Sequence, residues 1–226
     1  MINLLVAVVF ALPSYFDKCE EEVNRTLEFV DDNKKEILTI TKYLNNDDAL
    51  AAMCIVAPEI SQYSPVIDAT ETFALKTLYV QGKVANFSIG PFQMKPSFAE
   101  AIEQYINKEK QTYKKYNALI INRSSDREIR YERVCRLSSI EWQILYLSAY
   151  YNIVCNREDV QNRKNAESRL KFCATLYNAG FELDKESVLE LFKKKGFPHL
   201  SHDKFNYGDI ACEFFQCNEF CSYLRK

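Results

Sequence analysis

The run IEWQILYLSAYYNIV, residues 140 to 154, is apolar on nearly every side when wound at helical pitch. A helix on the surface of a globule carries one apolar stripe, so a helix that is apolar all round must be enclosed by others. Ser138, with Glu141 three residues on, is a capping-box signature that opens this central helix. Outward from it the pattern stays helical, with few turn signals and no alternating strand of useful length. The fold class expected is all-α, or mainly helical with α+β as its limit.

Upstream, Asn46-Asp47-Asp48 opens a segment that sends Leu50, Met53, Cys54 and Ile55 toward a core. Pro96 stands where a first helical turn begins, ahead of Phe98, Ala101, Ile102, Tyr105 and Ile106. Downstream, one helix is expected from Glu158 to Tyr177, stopping at Gly180. Asp184 reads as the cap of ESVLELFKKK, and Tyr207 to Leu224 as a last amphipathic helix. Residues 15–182 then form one helical domain, with residues 183–226 a helical C-terminal extension packed on it.

The chain has 226 residues, 47% hydrophobic and 27% charged, enough for one sizeable core. Its net charge of −2 provides no basic footprint for nucleic acid. Residues 1–14 hold an apolar run from Leu4 to Leu12, ended by Pro13. That run is too short to span a bilayer but suits the h-region of a secretion signal, with a buried first helix or strand as the alternative. No other segment approaches a membrane span, and the reading places the protein in the periplasm or cell envelope.

Eight cysteines form an even set, compatible with disulfides or with buried free thiols. No metal or cofactor is expected: there is no CxxC pair, and the two histidines, His199 and His202, stand together in a loop. There is no G-x-S-x-G, P-loop or G-x-G-x-x-G motif. Acid–base chemistry is left to carboxylates, which are mostly solvated helix faces. Glu59 differs, because it ends the apolar run MCIVAP. Pro58 lacks an amide hydrogen and disfavours a helical Ala57, so the helix should end or kink there. Glu59 would project from that end among Ile55, Val56, Ile60 and Tyr63. Desolvation there would raise its pKa, as a general acid near neutral pH requires.

The stretch FSIGPFQMKPSF, residues 87 to 98, spends one of only five glycines beside a lone amide with apolar flanks. Glu59, this turn and the later Leu176-Tyr177-Asn178-Ala179-Gly180 occur in the order seen in goose-type lysozymes and lytic transglycosylases, which the chain resembles over residues 46 to 182. In that family a catalytic Glu closes a helix, a G-x-x-Q turn follows, then an apolar helix, then Tyr-Asn-Ala-Gly. The resemblance implies a lysozyme-like helical domain with a substrate groove and a peptidoglycan strand as partner. Glu59 would serve as acid and then base on the bond between muramic acid and glucosamine. Ser88, Gly90, Gln93, Met94, Tyr177 and Asn178 would bind substrate. Gly90 would let the backbone approach the sugar, Gln93 would bond an N-acetyl group, and Asn178 would brace the turn.

Two departures mark a divergent branch, similar to exported proteins of Bacteroides-like bacteria. Ile60 stands where the family has Ser, and an extra helix from Thr70 to Tyr79 lengthens the segment before Gly90. Asp68 and Glu71 are the candidates for a second carboxylate, although a single acid is the preferred reading. The alternatives are a catalytically inactive glycan-binding protein and an all-helical interaction protein.

Overall fold

A computed structural model describes residues 13–198 and 202–224. The apolar run at residues 4 to 12 and His199 therefore lie outside the described residues. The chain is all-α. Short α1 (Tyr15–Lys18) leads into α2 (Glu20–Asp32) and α3 (Lys34–Ile37). Two long helices follow, α4 (Asn46–Gln62) and α5 (Pro65–Thr77), with a bend of 99° between them. After the turn at residues 89 to 94 come α6 (Pro96–Lys108), α7 (Asp126–Leu137) and α8 (Ile140–Cys155). The chain ends in α9 (Glu158–Gln161), α10 (Ala166–Ala179), α11 (Lys185–Leu191), α12 (Tyr207–Gln216) and α13 (Asn218–Ser222). Among the described residues the only β pairings are two isolated bridges, Ile89 with Met94 and Phe197 with Phe205. No single described helix is long and apolar enough to cross a membrane.

The expected central helix is α8, which touches α3, α4, α6, α7, α9 and α10. Its residues from Gln143 to Tyr150 are all buried, as an all-round apolar pattern demands. Its start differs from the expectation. Ser138 closes α7, its hydroxyl bonding Val134 O at 2.8 Å, so Ser139 becomes the N-cap of α8. Pro96 opens α6 as expected, but Tyr105 points outward and the buried stripe runs through Ala99, Ile102, Glu103 and Ile106.

Three helix boundaries are corrected. The expected helix from Glu158 to Tyr177 is broken at residues 162 to 165, because Asn165 bonds Ser168 N at 2.8 Å and starts α10 afresh. The terminal helix breaks at extended Cys217, dividing α12 from α13. The third concerns α4, which runs on through Pro58 to Gln62 and does not end there. Packing overrides the local preference: residues 52 to 58 are all buried, and the Tyr207 hydroxyl donates to Ile55 O at 2.9 Å on the turn the proline disturbs.

The C-terminal segment is core. α12 packs against both α10 and α4, burying Ile210, Ala211 and Phe214 completely. Burial of each of the two large side chains contributes about 1.5–3 kcal/mol. Between α7 and α6, the buried Arg133 guanidinium forks onto Glu103 at 2.7–3.2 Å and reaches Glu100 at 2.9 Å, with the Tyr79 and Tyr146 hydroxyls completing the network. All eight cysteines are free thiols in this structure.

Candidate active site

Ile89 and Met94 exchange both backbone hydrogen bonds at 3.0 Å, closing the loop Gly90-Pro91-Phe92-Gln93. Gly90 has φ +73° and Gln93 φ +49°, both left-handed. Glycine is required at position 90 for a second reason. A Cβ there would fall 2.0 Å from Gln143 Nε2 and 2.7 Å from Leu137 O. The backbone is bare to admit a protein amide, which corrects the expectation that it is bare to admit a sugar. Gln143 fills that space, donating to Ile89 O at 2.7 Å and Leu137 O at 2.8 Å while accepting from Phe92 N at 2.9 Å. Asp68 reaches back from α5 to accept Gly90 N at 2.5 Å.

The other turn residues divide by role. Met94 is buried, so its side chain is core and cannot meet a substrate. Gln93 is half-buried and its Nε2 folds onto Gly90 O at 3.0 Å. A primary amide has two donors and an acceptor, so this bond does not exhaust it. Ser88 sits half-buried just before the bridge.

Tyr177, on the last turn of α10, is buried and donates to Phe92 O at 2.6 Å. The Tyr-Asn-Ala-Gly segment thus grips the Gly-Pro-Phe-Gln turn directly, across 85 residues of sequence. The rings of Phe98 and Tyr150 hold Tyr177 edge-on at 5.2 and 5.3 Å. Asn178 is exposed, and the expectation that it braces the turn is not met, because α10 carries it outward past Tyr177. It lines a cleft of about 490 Å³ together with Lys95, Ser97, Phe98, Tyr177 and Gly180.

Glu59 lies within α4, one turn before its end, and not at a helix terminus. It is half-buried, with Tyr177 and Tyr207 both within its electrostatic reach. Burial pushes its pKa up to about 7, against a hydrogen bond from Tyr207 and the charge of Lys95. The Tyr207 phenol has one hydrogen and two claimants. In the arrangement seen the hydrogen goes to Ile55 O at 2.9 Å; turned toward Glu59 it stabilises the carboxylate and opposes the upward shift. When Glu59 ionises, the hydroxyl must choose between the carboxylate and the carbonyl.

Asp68 and Glu71 also change meaning. Asp68 is committed to the turn, and Glu71, raised by burial and then by the Asp68 charge, stands one helical turn beyond it. Sequence reading passed over Gln143 and Tyr207. Gln143 had a visible signal, a lone amide in an apolar helix. Tyr207 had none, being one aromatic among many near the C-terminus. Among the described residues no group of His, Cys, Asp and Glu could hold a metal ion. Compared with protein-family models, curated proteins and solved structures, the chain matches none significantly.

Proposed function

We propose that the protein is a peptidoglycan-cleaving glycosidase of the lytic transglycosylase kind, acting outside the cytoplasm with Glu59 as its single acid and base. The observation that carries this reading is the joining of three distant segments: Glu59, the Gly90–Gln93 turn and Tyr177. Tyr177 bonds the turn through Phe92 O and shares electrostatic contact with Glu59. A carboxyl titrating near 7 is poised both to give and to take a proton at neutral pH.

In the reaction, Glu59 protonates the glycosidic oxygen as its bond to the muramyl anomeric carbon breaks. The muramyl 6-hydroxyl then attacks that carbon and yields its proton to the Glu59 carboxylate. A 1,6-anhydro ring closes without water, and Glu59 is returned to its protonated form. Most glycosidases need a second carboxylate to activate water or attack the sugar. Asp68, the nearest candidate in sequence, is engaged with Gly90 N, which supports the single-acid route.

A second reading, a glycan-binding protein without activity, is favoured by one feature. The 490 Å³ cleft is lined by Tyr177 and Asn178 but not by Glu59. Purified full chain incubated with peptidoglycan separates the two. Anhydro-ended muropeptides, one water lighter than hydrolysed ends and lost in Glu59→Gln, support the enzyme. Pelleting with the wall without product supports binding alone, and neither outcome leaves a helical interaction protein.

A further inference from the structure

Cys155 ends α8, and Cys173 lies in α10 one helical turn before Tyr177. Each thiol lies within the electrostatic reach of the other, and Cys155 also within that of the Tyr151 hydroxyl. Both cysteines line a cleft of about 420 Å³ whose walls include Asp48, Tyr151 and Arg169. Cys173 is buried, whereas Cys155 keeps a solvent-facing edge. We propose that Cys155 and Cys173 are a reactive dithiol that closes to a disulfide by exchange with a small-molecule disulfide entering this cleft.

The chemistry divides unequally between the two sulfurs. A thiolate is the attacking species, and it forms at partly exposed sites supported by donors and positive charge. Cys155 is partly exposed and has donors beside it: Cys173 holds its pKa below the usual thiol range, with Tyr151 and Arg169 assisting and burial and the Asp48 charge opposing. Cys173 is held well above that range, first by the pull of Cys155 on its proton, then by burial and by the Cys155 charge.

In the first step the Cys155 thiolate attacks one sulfur of the entering disulfide. A mixed disulfide forms and one small thiolate leaves. Cys155 then has no charge and no thiolate to receive a hydrogen bond, so two of the three influences raising Cys173 vanish. Cys173 loses its proton to solvent and attacks the Cys155 sulfur, releasing the second small thiolate. Two protein thiols are oxidised and one small disulfide is reduced to two thiols.

The bridge would tie α8 to the helix that presents Tyr177. Those helices are already linked there, since Tyr150 donates to Cys173 O at 2.5 Å and stacks edge-on with Tyr177. Oxidation would fix the register of α10 against α8.

The test is to reduce the full chain, incubate it with glutathione disulfide, block remaining thiols and map peptides by mass spectrometry. The expected result is a linked Cys155–Cys173 peptide and loss of both residues from the blocked pool. Cys173→Ser should trap glutathione on Cys155, and Cys155→Ser should leave Cys173 reduced. Circular dichroism reports whether each variant folds; if either does not, the wild-type map decides alone. Absence of the linked peptide, with Cys155 free or carrying a persistent glutathione, overturns the proposal.

Discussion

The hydroxyl of Tyr207 donates to the carbonyl of Ile55 at 2.9 Å, one helical turn before Glu59, from a helix about 150 residues away in sequence. This bond gives α4 an extra donor beside Pro58 and sets a phenol oxygen against the Glu59 carboxyl. It links the continuation of α4 to the protonation state of its one unusual acid.

Glu59 carries the clearest pH signature. Its folded pKa of about 7 lies above the ordinary 4.5, so the folded state holds the proton more tightly than the unfolded chain. The resulting stabilisation is complete below about pH 4.5 and is lost as pH rises to about 7 and beyond. Glu59→Gln cannot ionise and should escape that loss. Between pH 4 and 8 the variant should gain on the wild type by on the order of 2–3 kcal/mol, read by denaturant unfolding. Parallel curves would show that Glu59 is solvated like any surface carboxylate.

Tyr207→Phe keeps the ring and removes the hydroxyl. Ile55 O then lacks this donor inside the core, a loss of about 1–3 kcal/mol. Glu59 also loses a bond that favours its charged form, so its titration should move upward. Denaturant unfolding reads the first effect, and carboxyl-selective NMR titration reads the second. A Glu59 pKa that stays put or falls would remove Tyr207 from the site.

At position 90 an alanine meets both left-handed strain and the Gln143 amide. Gly90→Ala should cost about 2–4 kcal/mol. Gln143→Leu strands Leu137 O and Phe92 N and takes the second donor from Ile89 O, which keeps Met94 N, and should cost a similar amount. Both changes break the same turn, so the double variant should lose less than the two single costs combined. Simple additivity, measured by thermal or chemical unfolding, would mean that Gln143 does not hold this loop.

Arg133→Met leaves Glu103 buried with its main charge partner gone, and should cost about 3–5 kcal/mol. Arg133 is not among the groups that act on Glu59, so any peptidoglycan-cleaving activity should persist per folded molecule. A selective loss of activity at full stability would place this network in the mechanism.

Sequence reading works where the signal is local. The all-apolar run at 140 to 154 can only be an enclosed helix, and Asp184 and Pro96 mark helix starts through bonds and angles spanning a few residues. Glu59 was legible because a carboxylate closing an apolar run must be desolvated. Pro58 misled for the same reason: its local preference for ending a helix is real, but seven consecutive buried positions outweigh it. Asn165 and Cys217 show the reverse, where short polar or extended breaks interrupt runs that periodicity joins.

The amino-acid pattern alone determined an all-helical body around α8, a tight turn at Gly90 and an unusual acid at position 59. These follow from periodicity, turn chemistry and composition, which act within a few residues. Only the tertiary structure decided that Gly90 is bare to admit Gln143, that Asp68 anchors the turn, and that Tyr207 meets Glu59. Those pairings join residues from about 20 to 150 positions apart, and packing rather than local preference chooses among the many polar and aromatic groups that could have filled them.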